Sequence, residues 1–161
     1  MSHKVSFFQN IIKQKKPFRS LSAEAAMGLL ITADVLRRSW WPLVEQAGVS
    51  AQQYNVLRIL RGAGKEGLPT QGIAARLIEK PPGITRLIDQ LESRGLVERR
   101  RSTSDRRQVF CTITPSGLEL LSPLDQPVDK WDDESLSVLN ERELKQLIHS
   151  LERIYSYQSK Q

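Results

Sequence analysis

The chain has 161 residues, 24 of them Lys or Arg and 18 Asp or Glu, for a formal net charge of +6. That length suits one compact domain, or one domain with dimerising arms, and that charge suits a polyanionic partner. No apolar run approaches the roughly 20 residues that span a bilayer, the start around Phe7, Phe8, Ile11 and Ile12 is too short and too polar for a signal peptide, and Cys111, the sole cysteine, leaves no intrachain disulfide and fits a reducing cytoplasm.

Residues 5 to 12 carry Val5, Phe8 and Ile12, with Phe7 and Ile11, at near-helical spacing. They suit either a frayed terminus or a short helix whose apolar side packs on a partner subunit, and two Phe and two Ile so close together favour the helix. Residues 22 to 47 predict a long helix, in which Ala26, Leu29, Leu30, Ala33, Leu36, Trp40, Leu43 and Ala47 keep a three-four spacing. Pro42 lacks an N–H and is expected to kink or break it. Trp40 and Trp41 are adjacent and point in different directions, one suiting a core and the other an interface or pocket. Trp40, Trp41, Tyr54 and Trp131 could line a pocket, with Trp40, Trp41 and Tyr54 the candidate ligand-binding residues, although core packing explains all four equally well. Gly48 stops this helix. Ser50 and Gln53 form a capping box for the next, whose buried stripe is Val56, Leu57 and Leu60, with Gly62 and Gly64 at its end.

The stretch from 70 to 114 is the most informative. Thr70 is expected to cap a short helix with Ile73, Ala74 and Leu77 facing inward. Pro81-Pro82 then fixes the entry to a second helix. There Ile84, Leu87, Ile88 and Leu91 fall at i, i+3, i+4 and i+7, so one stripe faces a core. The opposite stripe holds Pro82, Arg86, Asp89 and Ser93, flanked by Thr85 and Gln90. Two short helices packed steeply present such a face outward, the geometry of a recognition helix in a major groove. Gly95 ends this helix, Leu96 and Val97 begin a strand, Arg99 to Arg107 reads as a basic hairpin tip, and Val109, Cys111 and Ile113 alternate along the returning strand. Cys111 reads as a small buried hydrophobe rather than a redox sensor.

Thr114-Pro115 starts a further helix with Leu118, Leu121 and Leu124 in its stripe, and Pro123 and Pro127 are expected to bend or interrupt it. Asn140 and Glu143 make a second capping box ahead of a strongly amphipathic helix bearing Leu144, Leu147, Ile148, Leu151, Ile154 and Tyr155. The terminal helices carry more apolar surface than one small winged domain can hide, so a two-fold dimer is the economical expectation.

Charge is unevenly spread. Arg76, Lys80, Arg86, Arg94, Arg99, Arg100, Arg101, Arg106 and Arg107 crowd the centre, while Asp125, Asp129, Asp132, Asp133, Glu134, Glu141 and Glu143 crowd the C-terminal part. One face is therefore built for phosphates and another is not. The DNA-binding candidates are Thr70, Lys80, Pro82, Thr85, Arg86, Asp89, Gln90, Arg101, Asp105, Arg106 and Arg107. Arg86 can meet a guanine edge or a phosphate, with Asp89 one turn on to hold its guanidinium. Arg107 suits a narrow minor groove, and Arg106 and Arg101 suit phosphates.

No enzyme site emerges. His3 and His149 are far apart with no cysteine or second histidine at metal-ligand spacing, and there is neither a Gly-rich phosphate loop nor an activated nucleophile, so no cofactor or metal is expected. The rival readings are a winged-helix protein-interaction module without an effector, and a nucleic-acid-processing enzyme, which would need clustered carboxylates.

The chain resembles the MarR-type (multiple-antibiotic-resistance regulator) transcription factors. The carriers are 53–60 (QYNVLRIL), 73–77 (IAARL), 84–99 (ITRLIDQLESRGLVER), 105–109 (DRRQV), Thr114-Pro115-Ser116-Gly117 and 139–144 (LNEREL), in order and at family spacing over roughly residues 22 to 157. The resemblance implies a winged helix-turn-helix homodimer with interlaced terminal helices that binds pseudo-palindromic promoter DNA, mostly represses, and releases DNA when a small, often aromatic, anion binds. It also implies that Asp105 orients Arg107 through a salt bridge. Two departures stand out: the stiff Pro81-Pro82-Gly83 opening of the recognition helix, and Pro123 and Pro127 in a helix that is usually longer. The expected fold is mainly α with a small β-hairpin wing (α+β). Its parts are an N-terminal dimerisation arm and long helix (1–48), a winged helix-turn-helix DNA-binding domain (49–114) and C-terminal dimerisation helices (115–161).

Overall fold

The computed structural model describes residues 5–78, 83–101 and 109–160. Its helices are α1 (Phe7–Ile11), α2 (Leu21–Glu45), α3 (Ala51–Ala63), α4 (Thr70–Arg76), α5 (Ile84–Ser93), α6 (Pro115–Ser135) and α7 (Glu141–Gln158), and its strands are β1 (Leu68–Pro69), β2 (Val97–Arg101) and β3 (Val109–Ile113). The expected site residues Lys80, Pro82, Asp105, Arg106 and Arg107 lie outside the described residues, as does His3. The chain forms two compact units, Met1–Pro42 and Leu43–Gln161.

In the first unit Ser6 caps α1 by accepting from the Gln9 backbone N–H. Gln9 is only 6% exposed, and its side-chain amide donates to the Gln14 carbonyl at 3.1 Å, which folds the chain back after the helix. The ring of Phe8 fills the notch at Gly28 on α2, so closely that a Cβ there would overlap it. Val5, Phe7, Ile11, Leu30 and Val35 remain exposed. Helix α2 continues through Pro42 to Glu45, so the proline does not break it. Three residues from the helix end, the missing N–H costs one ladder bond and little helix remains to be redirected.

The second unit is organised on α3, where the Ser50–Gln53 capping box forms at both hydrogen bonds, 3.2 and 3.0 Å. Its residues Tyr54, Val56, Leu57 and Leu60 are buried, together with Ile73 of α4, Leu87, Ile88 and Leu91 of α5, Leu121, Leu124 and Val128 of α6, and Cys111 of β3. Gly62 lies inside α3, and Gly64 rather than Gly62 ends it. The expected two-stranded wing is the larger part of a three-stranded antiparallel sheet in the order β1-β3-β2. Leu68 pairs with Cys111 and Val97 with Ile113. Gly67 makes the third strand possible: it has φ +67, and a Cβ there would strike the Cys111 carbonyl, so only glycine admits the close approach of β1 to β3. The strand escaped the sequence reading because two residues ending in a proline carry no alternation.

Thr114 caps α6 by accepting from Gly117 N–H, with Pro115 at the first helical position. The helix then runs unbroken to Ser135, so Pro123 and Pro127 do not interrupt it. Both prolines are exposed, while Leu121, Leu124 and Val128 are buried on the other side. Helices lengthen their solvent-side hydrogen bonds as they curve around a core, and that is where a missing donor costs least. Arg61 of α3 forms a bidentate pair with Asp125 of α6 at 2.9 and 2.8 Å, 64 residues away in sequence. The Asn140–Glu143 capping box starts α7 as expected. No residue of α7 is buried, and Ile148, Leu151, Ile154, Tyr155 and Tyr157 are exposed along it. Among the described residues no helix is long and apolar enough to cross a membrane.

Candidate nucleic-acid interface

Helix α5 begins at Gly83, whose left-handed backbone (φ 96, ψ 47) turns the chain abruptly into the helix. A side chain would strain that turn, so the glycine is local code for the helix start. Leu87, Ile88 and Leu91 are buried and Ile84 is half-buried, as the spacing predicts. Thr85, Arg86, Asp89, Gln90 and Ser93 are exposed, so the expected polar stripe is the outward face.

Among the described residues, the side chains of Gln53, Arg94 and Arg99 hold that face in orientation. On one flank Gln53 of α3 donates through Nε2 to Gln90 Oε1 at 3.3 Å. At the C-terminal end the Arg94 guanidinium donates to the Gly48 carbonyl at 2.8 Å. On the other flank Arg99 of β2 donates to Asp89 Oδ1 at 2.6 Å and to Glu92 Oε2 at 2.5 Å, with the Thr85 carbonyl at 3.4 Å. Burial disfavours the Arg99 cation, but the hydrogen bond to Asp89 and the field of Glu92 outweigh it and raise the guanidinium pKa above its ordinary value. Asp89 thus pairs with Arg99, not with Arg86. The expectation of an Arg86–Asp89 pair rested on proximity along one helix; the strand supplies a guanidinium pinned by two carboxylates at once, and Arg86 stays exposed.

Arg99, Arg100 and Arg101 belong to β2 rather than to the hairpin tip, in register with Cys111, Phe110 and Val109. Alternation puts Arg99 on the side of buried Val97, toward α5, and that signal was present in the sequence. Arg100 reaches the Lys65 carbonyl at 3.2 Å and Glu98 at 3.4 Å, and Arg101 is exposed at the end of the strand. Thr70 is the first residue of α4 rather than its cap; Pro69 holds the cap position without a side-chain hydrogen bond. Extending β1 through Pro69 fixes that residue's backbone and hands Thr70 to the helix.

Cys111 is fully buried, and burial pushes its thiol pKa up, with a hydrogen bond to Thr70 opposing. That fits the small-hydrophobe reading, since the reactive form of a thiol is the thiolate. Of the aromatic candidates, Trp40 and Trp41 are half-buried in α2 within the first unit, and Tyr54 is 1% exposed in α3 of the second. The Arg58 guanidinium stands 5.8 Å from the Tyr54 ring centroid, and burial raises the phenol pKa. A shallow cavity of about 490 Å³ follows α7 and is lined by Glu141, Arg142, Lys145, Gln146 and His149, none of them an aromatic candidate.

Comparison with known proteins agrees with this geometry. The MarR family model matches residues 49–109, the span from the end of the α2–α3 connection to β3. The transcriptional regulator MhqR of Bacillus subtilis is 31% identical over 111 residues, covering 69% of this chain and 75% of its own length. The crystal structure of a MarR transcription factor from Planctomyces limnophilus is 42% identical with a TM-score of 0.63, covering 84% of this chain and 98% of the other. The structure of NadR in complex with 4-hydroxyphenylacetate is 28% identical with a TM-score of 0.69, covering 86% and 97%. The chain belongs to the MarR family of transcriptional regulators and is not an enzyme.

Proposed function

We propose that the chain is a sequence-specific double-stranded-DNA-binding repressor, active as a homodimer and released by a small aromatic or anionic effector. The observation that carries this reading is the outward face of α5, where Thr85, Arg86, Asp89 and Gln90 stand exposed on a helix braced by Gln53, Arg94 and Arg99. A helix fixed in orientation, beside a strand ending in Arg101, suits base edges in a major groove with flanking phosphates. In this reading Thr70 and Lys80 meet the backbone, Pro82 sits at the entry to the groove, Arg106 meets phosphate, and Arg107, oriented by Asp105, enters the adjacent minor groove.

The homodimer is supported by apolar side chains left exposed within each unit, Phe7, Ile11 and Leu30 in one and Ile148, Leu151 and Ile154 in the other. Residues 1–48 and 115–161 then supply the dimer contacts and 49–114 the DNA contacts. An aromatic or anionic effector is supported by the bound 4-hydroxyphenylacetate of NadR. The test is a binding titration of the full chain against genomic fragments at several salt concentrations, with and without aromatic carboxylates. Sequence-selective retention that falls with log salt at about −0.9 per phosphate neutralised is expected. Equal, weak binding to all fragments would refute it and favour a protein-interaction module.

A further inference from the structure

Asp89 is an anion on the face that, in the proposed function, meets a polyanion. An exposed carboxylate there lowers affinity for phosphate wherever it faces the backbone, and it is useful only where it accepts a hydrogen bond from a base. The structure supplies what such a use requires. Arg99 takes Asp89 Oδ1 at 2.6 Å from the wing side, offsets its charge, and is itself anchored by Glu92 at 2.5 Å and the Thr85 carbonyl at 3.4 Å. The Arg99 side chain is 23% exposed against 55% for Asp89, so the cation is withdrawn and the carboxylate presented. Among the described residues Asp89 Oδ2 has no hydrogen-bond partner.

Resting on the proposed DNA-binding role, we propose that Asp89 is a base-reading acceptor for an exocyclic amine in the major groove, cytosine N4 foremost, and that Arg99 is its positioning residue. Arg99 touches no base. It fixes the rotamer of Asp89 from behind and cancels the repulsion that would otherwise drive the carboxylate from the duplex. The outward face of α5 then reads with two opposite charges, Arg86 for acceptor edges and Asp89 for donor edges.

The test is selection from a randomised duplex library by the wild-type chain and by Asp89→Asn, Arg99→Met and Arg99→Lys, followed by salt titrations on the selected duplex. Wild type is expected to prefer cytosine at one position in each half-site. Asp89→Asn, which both donates and accepts, is expected to move that preference toward adenine, changing the cytosine-to-adenine ratio by about tenfold. Arg99→Met is expected to lose discrimination most at that same position, with the salt slope unchanged. Arg99→Lys restores part of the discrimination. An Asp89→Asn profile identical to wild type overturns the proposal, as does a salt slope reduced by about one in Arg99→Met, which marks a direct phosphate contact. Asp89 is exposed and Asn is isosteric, so that arm stands even if Arg99→Met fails to fold. A wild-type chain that selects no sequence at all sinks the DNA-binding reading, whereas selection unaffected at every position by Asp89→Asn sinks this inference alone.

Discussion

Replacing Arg61 by Met and Asp125 by Ala, singly and together, isolates the bond between α3, the scaffold of the candidate interface, and α6. The pair is bidentate at 2.9 and 2.8 Å, with 33% and 46% of the two side chains exposed. Two unit charges about 4 Å apart attract by about 4 kcal/mol at an effective dielectric of about 20. Partial exposure, salt screening and the entropy of holding two long side chains remove most of that, leaving exposed pairs at about 0.2–1 kcal/mol. The fork geometry and the half-buried guanidinium place this pair at the upper end, so a coupling energy of about 1 kcal/mol is expected. Asp125 also raises the Arg61 pKa through their hydrogen bond, which is the same interaction seen from the cation. Urea unfolding of the four proteins at one fixed protein concentration gives the coupling as the non-additive part. It should shrink markedly in 1 M salt, where the Debye length falls to about 3 Å. A coupling below about 0.2 kcal/mol, or one indifferent to salt, would show that α6 is held by Leu121, Leu124 and Val128 alone.

Arg86→Ala is expected to cost about 1–3 kcal/mol of operator binding while leaving the thermal midpoint unchanged, because the side chain is exposed; band-shift titration and a melting curve check both halves. Gly28→Ala gains about 1 kcal/mol of helix propensity in α2 but evicts the Phe8 ring, so tryptic cleavage at Lys13 and Lys15 should accelerate, and Phe8→Ala should make that rate insensitive to the Gly28 change. Buried Cys111, its thiol pKa raised by burial, should react with iodoacetamide at pH 8 only as the protein unfolds; labelling of the native chain at a free-thiol rate would contradict the burial. Burial likewise raises the Tyr54 phenol above its ordinary value of 10.0. Its neutral form therefore favours the fold fully below about pH 10, and that contribution drains away as pH rises through the folded value. Wild type should lose stability between about pH 9 and 11 faster than Tyr54→Phe, and parallel pH curves would refute the assignment.

What the sequence made legible is what is written locally. Both capping boxes, Ser50 with Gln53 and Asn140 with Glu143, are closed within four residues and form as read. The buried stripe of α5 follows from a 3.6-residue period, and Leu87, Ile88 and Leu91 occupy it. The misread prolines show the limit of a local rule. Pro42, Pro123 and Pro127 each remove a helix donor, yet α2 and α6 run on: Pro42 lies three residues from the end of its helix, while Pro123 and Pro127 lie on the exposed side of α6 opposite buried Leu121, Leu124 and Val128, and which side packs is a tertiary fact. Strand β1 was invisible for a related reason: Leu68-Pro69 has no pattern of its own and exists only because Gly67 lets it approach Cys111.

The site divides along the same line. That Thr85, Arg86, Asp89 and Gln90 share one exposed face follows from helical periodicity, and the structure places them so. What braces that face does not follow, because Gln53, Arg94 and Arg99 act across 37, 46 and 10 residues of chain, on α3, on the α2–α3 connection and from β2. Assigning Asp89 to Arg86 treated the nearest cation in the sequence as the nearest in space. On a helix surface an i,i+3 pair is one option worth a few tenths of a kcal/mol. A strand-borne guanidinium that satisfies Asp89 and Glu92 together outcompetes it, because its second carboxylate keeps it in place whether or not the first is engaged. Arg86 is thereby left without a carboxylate among the described residues, and an arginine on the outward face that is not spent on an internal ion pair retains its five donors for a ligand.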